Sequence, residues 1–255
     1  MINLSVSKYT RQRMAGRNGP KPSLNDKCYA CDAPGGCNKS MLETHYFGKD
    51  KFVFLCPLCY SALHLDEAGF ENSGVVIWLP EISQEQLNLI CLAIFISLKK
   101  TSRLSGDDES KKMVEHMVWL YKKFEKRSEP IRTLLASESK SNSKQFQAAG
   151  STAYIANLFV KTMRDKNISS REIAEKTKGL KLLPNPERFK AYIDELSLLS
   201  EKEFPVESWM TLAKRHESGT PGTPNDGSQD GGSESFDATP DTPAQTSGEE
   251  PAWVA

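Results

Sequence analysis

Apolar and polar positions fall into short runs over the first eighty residues and settle into helical periodicity after that. Met41–Phe47 and Lys51–Cys56 are strand-like runs divided by Gly48, Lys49 and Asp50, a pattern that predicts a β-hairpin. Tyr60 to Glu67 predicts a short helix, and Gly74 to Leu79 (GVVIWL) has the β-branched and aromatic content of a buried strand. Ser83, with Gln86 three positions later, forms a capping box for a helix that runs to about Lys100. The apolar run inside it, Leu89 to Leu98, is about half the roughly 18–20 residues needed to cross a bilayer and reads as a buried helix.

The remainder is predicted to be mostly helical. Met113, Val114, Met117, Val118, Leu120, Tyr121 and Phe124 form a core-facing stripe between Asp107 and Arg127. Further helices are expected at about 147–165, 170–178, 186–199 and 205–215. Ser169 and Glu172 would cap the second of these, and Pro186 and Pro205 sit where first-turn prolines are tolerated. Ala136–Lys144 (ASESKSNSK) is a low-complexity divider.

Composition adds a tail. Residues 217–255 hold six Gly, five Pro, five Ser and five Thr, with Phe236, Trp253 and Val254 as the larger apolar groups. So few apolar groups do not offset the entropy of ordering the chain, so this stretch is expected to be disordered. It also carries eight acidic residues and no Lys or Arg, whereas residues 1–216 carry 33 basic and 25 acidic groups, a net of +8. The formal neutrality of the 255 residues therefore hides a basic body and an acidic tail. The first residues lack the apolar stretch of a secretory leader, so a reducing, cytosolic setting is expected, where cysteines bind metal or are buried.

The cysteines carry the chemistry. Cys28-Tyr29-Ala30-Cys31 and Cys56-Pro57-Leu58-Cys59 are two Cys-x-x-Cys turns, and six cysteines scattered at random would give only about 0.12 such pairs. Two thiolates three positions apart on a tight turn face a common centre, and two such turns supply the four sulfurs of a tetrahedral Zn²⁺ site. Such a shell is closed, so the expected role of the ion is structural. Cys37 is read as a loop thiol, Cys91 as helix packing, and His45 and His64 as ordinary histidines.

A Cys-x-x-Cys, a hairpin and a second Cys-x-x-Cys opening a helix together resemble, over Cys28 to Asp66, the zinc-stapled ββα core of HNH nucleases. In that family a hairpin histidine is the general base, a place His45 fills. An Asn orients the base and a histidine on the helix binds the catalytic ion. Here Tyr46 to Cys56 contains no Asn, and Tyr60 follows Cys59. Phosphodiester cleavage needs metal stabilisation as well as a base, so no catalytic residue is assigned. Nucleic-acid binding is the alternative, drawing on Lys8, Arg11, Arg13, Arg17 and Lys21 and on Ile168–Glu175, which resembles the first helix of a helix-turn-helix. Pro184 and Pro186, however, stand where a recognition helix should run.

The segment Gly74–Asn88 (GVVIWLPEISQEQLN), following two Cys-x-x-Cys turns, resembles the IcmJ (DotN) family of type IVB secretion systems and related plasmid conjugation machines. The resemblance covers Cys28 to about Lys100. It implies a non-enzymatic adaptor with an HNH-like zinc domain, bound to the coupling ATPase and thereby held at the cytoplasmic side of the inner membrane. Protein substrates or a relaxase would then be met indirectly. The exposed anchors of such an adaptor are sought among Phe70, Trp78, Leu79 and Pro80. The resulting expectation is an α+β chain: residues 1–106 zinc-stapled and HNH-like through Cys28, Cys31, Cys56 and Cys59, residues 107–216 mostly helical, and residues 217–255 a disordered acidic tail.

Overall fold

The computed structural model describes residues 3–6, 20–46, 52–101, 108–138, 151–165, 172, 175–200, 202–205 and 208. The acidic tail, the basic N-terminal residues 8–17 and nearly all of the segment resembling a helix-turn-helix lie outside them.

Strands β1 (Glu43–Tyr46) and β2 (Phe52–Leu55) form the expected antiparallel hairpin, with His45 opposite Val53. The helical stretch that follows is two helices, α1 (Pro57–Leu63) and α2 (Leu65–Phe70), and it starts earlier than periodicity indicated. Pro57 occupies the first helical turn, where its missing N–H costs nothing, and His64 leaves helical geometry at φ −121° and ψ 58°, separating the two. Gly69 of α2 lies directly against Ala153, where a Cβ would come within 2.5 Å of the Ala153 Cα. This close approach brings α2 against α6 (Thr152–Asp165).

Strand β3 (Gly74–Trp78) is followed by α3 (Gln84–Thr101), begun by the expected capping box. The Gln86 backbone N–H donates to the Ser83 hydroxyl at 3.2 Å, and the Gln86 side chain accepts from the Ser83 N–H at 2.9 Å. Helices α4 (Asp108–Lys126) and α5 (Glu129–Glu138) follow. Met117, Leu120 and Phe124 of the α4 stripe are buried, whereas Val118 is exposed.

The mostly helical second half contains a strand that periodicity did not reveal. β4 (Leu180–Pro184) pairs antiparallel with β3, and α7 (Lys190–Leu196) covers only the middle of the helix expected at 186–199. β4 is brief and apolar on both faces, a pattern that does not distinguish strand from helix without its partner. In the register Val76 faces Leu182 and Val75 faces Leu183, so successive residues point into different cores. Val76 and Leu182 join Leu4, Ala62, Leu65, Ala68, Ile155 and Phe159 on one side. Ile77 and Leu183 join the larger core of α3, α4 and α7 on the other, and the four paired cysteines belong to that core.

Of the sought anchors, Phe70 is 86% exposed and Trp78 47%, while Leu79 is fully buried. The Trp78 ring lies over Gly179, whose missing side chain makes room for it. No described helix is long and apolar enough to cross a membrane.

Candidate metal centre

Each pair of cysteines is set by a tight turn. At the first, the Cys28 N–H donates to the Ala33 carbonyl and the Asp32 N–H to the Cys28 carbonyl, both at 2.8 Å. Asp32 completes the reversal at φ 64°, a left-handed conformation that aspartate tolerates better than most residues. At the second, Cys56 caps α1 with its own sulfur, which accepts the Cys59 N–H at 3.5 Å. The turns meet because the hairpin between them folds back, the Tyr29 N–H donating to the Phe54 carbonyl at 2.8 Å.

The sulfurs of Cys28, Cys31, Cys56 and Cys59 all lie within 4.8 Å of one another, and all four residues are buried. Cys31 and Cys56 are 3.7 Å apart at sulfur, far beyond the ~2.05 Å of a disulfide. A tetrahedron with metal–sulfur bonds of about 2.3 Å has edges of about 3.8 Å, so the donor set fits a thiolate-bound ion. Electrostatics points the same way. Hydrogen bonds from Cys31, Cys56 and Cys59 hold the Cys28 thiol far below its ordinary range. Burial drives Cys56 far above its own, and hydrogen bonding within the cluster does the same to Cys59. The Cys28 thiolate is therefore stabilised by its neighbours, and ionising Cys56 and Cys59 calls for a cation.

Cys37 stands outside this cluster, and Cys91 is buried in α3, where burial raises its thiol well above the usual range. Among the described residues the four cysteines are the one group of three or more His, Cys, Asp or Glu side chains close enough to hold a metal ion. His45 is brought to His64 instead, Nδ1 to Nε2 at 2.9 Å, and Tyr60 stacks on the His64 ring with centroids 4.1 Å apart. Burial favours the neutral form of His45.

Sequence reading missed the residues that hold the cysteine loops from outside. Tyr192 of α7 donates its hydroxyl hydrogen to the Pro34 carbonyl at 2.7 Å. Glu195 accepts the backbone N–H groups of Asn38 at 2.7 Å and Cys37 at 3.2 Å, and these bonds, Asn38 foremost, keep its carboxyl below the usual carboxylate range. More than 150 residues separate each pair of partners, so no local pattern announces them.

No family model matches the chain. It is similar to the type 4 apparatus protein DotN of Legionella pneumophila, 26% identical over 146 residues, and this match takes in 56% of this chain and 58% of that protein's length. The two Cys-x-x-Cys turns folded into one buried cluster and the GVVIWLPEISQEQLN segment behind it stand beside this similarity to DotN, of which the chain spans little more than half the length.

Proposed function

We propose that this chain is a non-enzymatic adaptor of a type IVB secretion or conjugation apparatus, stapled by one structural Zn²⁺ and bound to the coupling ATPase on the cytoplasmic face of the inner membrane. The observation that carries this reading is a closed, buried four-sulfur cluster in a chain related to a type 4 apparatus protein. Cys28, Cys31, Cys56 and Cys59 hold the ion, which supplies cross-linking of the two turns and the hairpin between them. With four thiolates no position remains for substrate or an activated water, so the ion acts on stability. In small zinc modules that contribution is about 10–16 kcal/mol. His45, already bonded to His64, has no metal-bearing partner set for phosphodiester chemistry among the described residues.

The test is affinity capture of the tagged full chain from its native cell, in moderate salt with nuclease present, followed by mass spectrometry. Recovery of a membrane-anchored coupling ATPase is the expected outcome. Retention of nucleic acid without any protein partner, when nuclease is omitted, overturns the adaptor reading and makes His45 the first residue to mutate.

A further inference from the structure

Two polar side chains lie in the core one turn apart on α3. Gln84 is 1% exposed and Asn88 is 0% exposed, burial that is costly for an amide unless its hydrogen bonds are made. Every bond here runs in a direction fixed by chemistry. The Leu182 backbone N–H can only donate, and it does so to Gln84 Oε1 at 2.8 Å. The Leu182 carbonyl can only accept, and it does so from Gln84 Nε2 at 2.8 Å. The orientation of Gln84 is thereby set by β4. Its remaining Nε2 hydrogen points to Asn88 Oδ1 at 2.9 Å, which in turn sets the orientation of Asn88. Asn88 Nδ2 is left as a donor, and it lies 3.2 Å from the sulfur of Cys59.

We propose that Asn88 is a positioning residue of the metal centre: it donates a hydrogen bond to the Cys59 thiolate, and through Gln84 it makes retention of the ion depend on the docking of β4. The proposal rests on the metal-centre reading of the four cysteines. A donor aimed at a ligand sulfur withdraws charge from it and fixes its side-chain rotamer without competing for the ion. Supporting partners of this type contribute roughly 10–100-fold in metal affinity. The arrangement explains the polar half of the family segment as well as its apolar half. Ser83 and Gln86 start the helix, Gln84 grips β4, and Asn88 reaches the cysteines.

The experiment uses the full chain loaded with Zn²⁺, titrated with a competing chelator, and the same chain loaded with ¹¹³Cd²⁺ for NMR. Wild type is expected to bind one ion per chain and to show a correlation between cadmium and the Asn88 side-chain amide protons, transmitted through the N–H···S bond. N88L, which removes the donor at similar volume, is expected to keep one ion but hold it about 10–100-fold more weakly. Q84L, which touches no sulfur, is expected to shift affinity in the same direction. A missing correlation overturns the proposal, as does an N88L affinity within twofold of wild type, and an unchanged Q84L overturns the link to β4. Should N88L fail to fold, the cadmium correlation in wild type decides alone. A wild-type chain that binds no ion at all refutes the metal centre itself, a result distinct from each of these.

Discussion

Cys28 and Cys59 come from different turns, yet each supplies a quarter of a single donor set. Replacing either with serine removes a soft ligand and leaves a polar hydroxyl in a buried pocket. The expected result is a fall in bound metal from one ion per chain to none, read by native mass spectrometry; undiminished metal in both variants would contradict the site. His45 behaves differently, because burial lowers its pKa from 6.5. The unfolded chain therefore takes up this proton first as the pH falls, so His45 contributes stability above its ordinary pKa that is lost as the pH drops through and below that value. In urea unfolding at pH 7.5 and 5.5, H45Q is expected to lose less stability than wild type over that interval. Equal losses would remove His45 from the account. The spacing of the cysteines was legible in the sequence because a tight turn needs only four consecutive residues. The roles of Asn88 and Gln84 were not, since a polar residue in an amphipathic helix reads as solvent-facing until the strand beneath it is known.

At the scale of elements, the β3–β4 pair separates the two apolar clusters and faces both. Leu183 is fully buried, so L183A is expected to cost about 2–5 kcal/mol in chemical denaturation, the range for emptying a well-packed leucine site. S83A removes one cap bond at the start of α3 and is expected to cost only about 1 kcal/mol. A reversed order would mean that β4 is loosely held. The hairpin, β3 and α3 were legible because turn residues, β-branched content and a capping box are local signals. β4 and α5 were not. A five-residue strand paired with a segment 106 positions earlier leaves no periodicity of its own, and α5 follows α4 so closely that only the turn at Arg127 and Ser128 divides them.

For the whole molecule, the cysteines share one buried cluster with Ile77, with Ile90 and Ile94 of α3, and with the late residues Leu183, Phe189 and Tyr192. Removing the ion with a chelator is therefore expected to unfold residues from both halves of the body together. A calorimetric scan of the metal-free chain should show the main transition shifted down as a unit. A melt in which 107–216 keeps its own undisturbed transition would show that the halves are energetically separate. A partly exposed ion pair such as Arg127–Glu81 adds little to this cohesion, because solvent screens it.

The clasp that α7 places on the cysteine loops has a temporal consequence. A ribosome adding roughly 5–20 residues per second delivers Tyr192 and Glu195 about 7–27 s after Cys59 has been joined to the chain. Throughout that interval the nascent thiols have neither their carbonyl tether nor their carboxylate clamp. An ion captured early would protect four reactive sulfurs from oxidation while synthesis continues, and the arriving C-terminal segments would then seal an already loaded site.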